Sequence, residues 1–175
     1  MEILEVTYKE YKEVLLTSYN VFCTADFNEL NRDKCDTLHY LLFKEGKYRL
    51  GIIGGIRNNI FSSPFSAPFG GFSYFSSDVK LNYIEESIEL LVDWCIRQNL
   101  QEIKITLPPQ IYNESFISKQ ANCLFRKGLQ INNIDLNYSF PTRLFNENYT
   151  DTVLWRNARK NLNAALSNSL TLIEC

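Results

Sequence analysis

His39 is the only histidine in the chain. Histidine titrates near neutrality without help, so a general base would first be sought there. It sits between Leu38 and Tyr40 in an alternating run with no nucleophile marked beside it. Cys23 or Cys35 could approach it through the fold and give a Cys–His hydrolase; the plainer reading is a structural histidine. Glu85, Glu89 and Asp93 recur every four residues. Paired carboxylates can do acid–base work, but opposite an apolar stripe they read first as a solvated helix face with cations nearby. Arg156, Arg159 and Lys160 are spaced three and one residues apart, which groups them on one side of a helix. They could grip a carboxylate or phosphate of an acceptor, or form an ordinary charged surface. The glycines in Gly51-Ile52-Ile53-Gly54-Gly55 lack the spacing of a nucleotide loop and no helix follows, so they read as a tightly packed hairpin strand. With one histidine and no Cys-x-x-Cys pair among five cysteines, no metal constellation is expected.

The least ordinary stretch is residues 62–72, Ser-Ser-Pro-Phe-Ser-Ala-Pro-Phe-Gly-Gly-Phe. Its prolines withhold backbone donors, and its glycines supply room or positive φ. Phe61, Phe65, Phe69 and Phe72 make it apolar as well as bent. It reads as a shaped wall between a β meander and a long helix, or as a kinked strand that only packs.

The flanking elements follow from periodicity. Residues 2–8 alternate as a strand, and Thr7 with Glu10 forms a capping box for a helix carrying Tyr11, Val14, Leu15 and Tyr19. A short helix is expected over 26–31, with Phe27 and Leu30 on one face. Strands are expected over 37–43 and 48–56, joined by a turn at Gly46, with a third starting at 60. Residues 78–99 are the clearest helix, with the stripe Leu81, Ile84, Ile88, Leu91 and Cys95 and an alternative cap pair in Asn82 and Glu85. A strand over 102–107 precedes a helix over 114–127, with Phe116, Ala121, Leu124 and Phe125 inward. A strand over 130–140 follows, with Ile131, Ile134, Leu136 and Tyr138 as candidates for burial. A helix over 151–167 and a strand over 170–174 complete the reading. The fold class is therefore α/β: a twisted mixed sheet flanked by helices. The expected boundary divides a domain over 1–150 from a helix and strand over 151–175.

Hydrophobic residues make up 45% and charged residues 22%, as in a packed globular protein. The formal net charge of −2 supplies no field for nucleic acid or an anionic membrane. The acidic, alternating first residues do not read as a leader, and no apolar run suits a membrane span. Odd, scattered cysteines suggest reduced thiols, so a cytoplasmic location is expected.

The element order resembles the Gcn5-related N-acetyltransferase fold. Three stretches narrow the resemblance: Phe22-Cys23-Thr24-Ala25-Asp26-Phe27-Asn28-Glu29-Leu30-Asn31, the glycine strand running into the proline–glycine bend, and Trp155-Arg156-Asn157-Ala158-Arg159-Lys160-Asn161-Leu162. Together they resemble the amino-terminal half of Fem-like two-domain acyltransferases, which include aminoacyl transferases that build peptidoglycan cross-bridges. The resemblance implies a non-catalytic first copy that helps to hold the acceptor, with the acyl-donor site on a second copy. It makes Ser66, Pro68, Phe69, Gly70, Gly71 and Tyr74 the wall of an acceptor pocket, and the helix that carries Arg156, Arg159 and Lys160 the opening of the second copy. Working copies carry a phosphate loop of the form Arg/Gln-x-x-Gly-x-Gly/Ala before the long helix. Here Pro68-Phe69-Gly70-Gly71-Phe72-Ser73-Tyr74-Phe75 stands instead, and Arg57 is the only basic residue between Gly55 and Lys80. No acyl-CoA cofactor is therefore expected in this chain, and whether it is an enzyme stays open. The partner implied is a carboxy-terminal acyltransferase domain or a second copy in a homodimer. A stand-alone binding module is the alternative function, followed by a complete acyl-CoA-dependent acetyltransferase with a divergent phosphate loop.

Overall fold

The computed structural model describes residues 1–15, 18–76 and 79–168. The chain divides into two units, Met1–Asp135 and Leu136–Cys175. The first is built on a mixed sheet. β1 (Glu2–Val6) leads into α1 (Tyr8–Val14), whose first turn is closed by the Thr7–Glu10 capping box. A 3₁₀ turn (Val21–Cys23) and α2 (Ala25–Leu30) follow, capped by Asn20 and Thr24 side chains. The meander is β2 (Thr37–Glu45), β3 (Lys47–Arg57) and β4 (Ile60–Ser63); after the bend comes β5 (Phe72–Tyr74). Then α3 (Leu81–Arg97), β6 (Glu102–Ile105) and α4 (Glu114–Arg126) complete the unit.

The sheet order is β1-β2-β3-β4-β6, with β6 parallel to β4 and the other pairs antiparallel. β3 is shared along one side: its distal end pairs with β4, and its proximal end pairs with β5 in the register Leu50↔Tyr74, Gly51↔Ser73 and Ile52↔Phe72. Side chains alternate across the sheet. Leu41, Phe43, Leu50, Ile52 and Phe72 pack with Ile84, Ile88, Leu91, Phe116 and Leu124 of α3 and α4. Tyr40, Leu42 and Ile53 pack with Tyr11 and Ala25 of α1 and α2. Each fully buried Leu, Ile or Phe contributes about 1.5–3 kcal/mol.

The glycines of β3 sit under aromatic rings. A Cβ on Gly51 would lie 2.6 Å from the Tyr11 Oη, one on Gly54 2.1 Å from Phe61, and one on Gly55 2.6 Å from Phe65. The packed-hairpin reading describes them well.

Several expectations change. No strand forms over residues 130–140, and Ile131, Ile134, Leu136 and Tyr138 are exposed. Alternation makes a strand only where an edge and an apolar face receive it, and β6 ends the sheet without pairing to this stretch. Leu30, Ala121 and Phe125 point to solvent, while Cys123 takes the buried position on α4. α1 stops at Val14, leaving Tyr19 in a loop. α3 starts after Lys80 without a side-chain cap, so Asn82 and Glu85 do not cap it. Glu85 instead pairs with Arg126 at 3.0 Å and Glu89 with Lys127 at 2.6 Å, the cations expected beside that acidic face. In the second unit, the helix expected over 151–167 is broken into α5 (Tyr149–Thr152) and α6 (Arg156–Ser167). The strand expected over 170–174 lies outside the described residues. None of the described helices is long and apolar enough to cross a membrane.

Candidate functional site at the bend and the start of α3

The bend is held from inside. Ser63, 2% exposed, donates its hydroxyl to the Ile53 carbonyl at 2.7 Å and accepts the Gly71 N–H at 3.1 Å. The Gly70 N–H donates to the Thr106 carbonyl at 2.8 Å, and the Phe72 N–H to Gln120 Oε1 at 2.8 Å. All three successive amides are thus satisfied within the protein, two of them by the buried side chains of Ser63 and Gln120. Gly71 has φ +93°, and an added Cβ would meet Leu107 at 2.9 Å, so glycine is required there on both counts.

The expected wall residues divide. Gly70 and Gly71 are buried in this network and Pro68 is exposed at the tip. Ser66 donates to Asn31 Oδ1 at 3.3 Å. The Phe69 ring stands edge-on to Phe22 and Tyr112, each at 5.0 Å, and Phe22 meets Phe27 at 5.1 Å. With Val21 and Ile111 exposed beside them, these rings make an aromatic ridge on the first unit. Tyr74 stacks on Tyr19 at 5.8 Å, and its hydroxyl accepts from Asn113 Nδ2 at 2.9 Å.

The basic triplet lies in the second unit. Arg159 is engaged there: Nη2 donates to the Asp151 and Leu154 carbonyls at 3.0 and 3.1 Å, and Nη1 lies 3.6 Å from Asp151 Oδ1. Arg156 and Lys160 are exposed on α6.

A basic pocket at the start of α3 escaped sequence reading. Lys47, Tyr48, Arg49, Ser76, Val79, Lys80 and Tyr83 line about 200 Å³. The Arg49 guanidinium lies 4.3 Å from the centre of the Tyr83 ring, and Nη2 is 3.4 Å from Glu45 Oε2. Lys119 reaches the Val79 carbonyl at 2.9 Å. Cations around a helix start favour an anion. Lys47 and Arg49 come to Lys80 only because β5 pairs with β3, a contact no local pattern announces.

A wider open groove of about 520 Å³ is lined by Val6, Thr7, Tyr8, Lys9, Arg32, Leu38 and Tyr40. Much of its charge is already matched. Arg32 makes a fork to Glu29 at 2.9 and 3.0 Å, Tyr40 donates to Glu29 at 2.8 Å, and Tyr8 donates to Asp26. The Arg32 hydrogen bonds hold the Glu29 carboxyl below its usual range.

His39 is structural in its contacts. Its Nδ1 is 2.6 Å from Glu5 Oε1, its Nε2 is 2.9 Å from Thr37 Oγ1, and Trp94 stands edge-on. Cys23, Cys35, Cys95 and Cys123 are free thiols, and burial pushes the Cys95 thiol up to about 12. Among the described residues no group of three His, Cys, Asp or Glu side chains could hold a metal ion. Compared with known protein families, curated proteins and solved structures, the chain matches none of them.

Proposed function

We propose that the chain is a non-catalytic acyltransferase-like domain of the Fem-like type, with a Gcn5-related fold, that helps to hold the acceptor for a second copy of the fold. The observation that carries this reading is the occupancy of the bend. The amides of Gly70, Gly71 and Phe72 are spent on Thr106, Ser63 and Gln120, so none is left to cradle a diphosphate. The aromatic ridge through Phe22, Phe69 and Tyr112 supports a surface for an acceptor with an apolar portion.

The second reading, an acyl-CoA-dependent transferase with a displaced phosphate site, draws on Lys47, Arg49 and Lys80 around the start of α3. Thermal melting with increasing acetyl-CoA separates the two. The proposal expects an unchanged midpoint. A rise that grows with ligand concentration, and is lost in Arg49→Ala/Lys80→Ala, overturns it.

A further inference from the structure

On the α1 and α2 side of the sheet, half-buried Val6, Tyr8 and Leu38 pack against the cluster that holds Tyr11 and Tyr40. The same three residues floor the open groove of about 520 Å³. Val6 lies opposite Tyr40 in the β1–β2 ladder, and the Tyr8 ring stands edge-on to Tyr40 with centroids 6.2 Å apart. The floor is therefore apolar and partly aromatic.

Among the described residues, the charged side chains that line this groove are Lys9 and Arg32, both cations. Arg32 is aimed by a chain of bonds. Tyr40 donates to Glu29 Oε2 at 2.8 Å, and Glu29 accepts Arg32 Nε and Nη2 at 2.9 and 3.0 Å. This fork occupies one edge of the guanidinium. The next edge, Nη1 with the second Nη2 proton, belongs to a side chain that is 54% exposed. Because the guanidinium is planar, fixing one edge sets the direction of the other. Glu29 thus positions the donors as well as matching the charge. The neighbouring carboxylates are engaged elsewhere: Asp26 with Lys12 at 2.8 Å and with Tyr8, and Glu10 with the Thr7 N–H at 2.8 Å.

We infer that this groove binds a small organic carboxylate with an apolar body of about the size of a phenyl ring. Its carboxylate forks onto the outward edge of Arg32, Lys9 adds a second positive charge at the rim, and its body lies on Val6, Tyr8 and Leu38. Paired N–H donors on a planar cation match a carboxylate in both charge and spacing. The apolar floor disfavours a strongly hydrated polyanion, and the volume lies within the range of about 300–1,000 Å³ typical of small-molecule sites. The groove shares no lining residue with the aromatic ridge or with the basic pocket at the start of α3, so the inference rests on neither.

Amide NMR titration of the full chain with hydrocinnamate, and with its neutral amide, tests the site. Hydrocinnamate should give saturable shifts at the Val6, Leu38 and Tyr40 amides, with half-saturation at or below about 10 mM. The neutral amide should bind about tenfold more weakly, and Arg32→Gln should weaken hydrocinnamate by about tenfold or more. The same spectra report whether this exposed substitution leaves the chain folded. Arg49→Ala/Lys80→Ala, which removes the other basic pocket, should leave these shifts unchanged. Equal affinity for the neutral amide would mean a merely apolar surface and overturn the inference. So would a folded Arg32→Gln variant that binds as the parent does, shifts that fail to saturate, or shifts centred on Lys47 and Tyr83 instead.

Discussion

Ser63→Ala isolates the contact that shapes the bend. Its hydroxyl bonds the Ile53 carbonyl at 2.7 Å and the Gly71 N–H at 3.1 Å, and the residue is 2% exposed. Alanine fits the same space, so no steric effect competes. The loss leaves two buried main-chain groups unpaired. Each costs about 1–3 kcal/mol, the carbonyl toward the lower end, so the expected destabilisation is about 2–4 kcal/mol. For a chain of this size that lowers the melting midpoint by roughly 5–15 °C. Ser66→Ala is the control, because Ser66 makes one 3.3 Å bond to Asn31 at a half-exposed position; it should change stability by less than about 0.5 kcal/mol. Urea unfolding measures both, and amide exchange should show Gly71 losing protection in Ser63→Ala alone. A variant within about 0.5 kcal/mol of the parent, with Gly71 protection intact, would refute the claim that this hydroxyl holds the bend.

Three further outcomes follow from the geometry. Gly51→Ala places a Cβ 2.6 Å from the Tyr11 Oη; it should cost about 1–3 kcal/mol in urea unfolding. The Glu29 carboxyl is held below its ordinary value of 4.5 by Arg32. The unfolded state therefore binds the extra proton first as pH falls, and the stabilisation is present above 4.5 and lost on acidification through the folded value. Glu29→Gln should flatten that acid limb in denaturation followed against pH. Cys95 is raised from 9.0 to about 12 by burial. The unfolded thiol ionises first, so stability should fall as pH rises from 9 toward 12, and Cys95→Ala should reduce that alkaline slope.

The parts of the fold with local causes were readable from residue order. Of the α3 stripe, Ile84, Ile88, Leu91 and Cys95 are buried as the spacing implies, while Leu81 in the first turn is exposed; Thr7 with Glu10 closes α1. The β2–β3 hairpin was also readable, because Gly46 sits where positive φ is needed. What escaped depends on distant pairing. β5 has three residues, too few to show a period, and its ladder with β3 is what brings Lys47 and Arg49 to Lys80. The alternation over 130–140 misled because Ile134, Leu136 and Tyr138 have the pattern of a strand and no sheet to join. Of the expected wall, Gly70 and Gly71 turn inward to Thr106 and Ser63, where neighbours in the fold, not residue type, decide what an amide can bind.

The division of β3 between two short partners bears on how the molecule could be taken apart. Pro68 stands exposed at the tip of the excursion between β4 and β5. A backbone cut there would leave β1 through β4 on one fragment and β5 through α4 on the other. Two ladders, β3 with β5 and β4 with β6, would still hold the halves together across the nick. The excursion is thus a natural place to split the gene into two separately expressed pieces that reassemble.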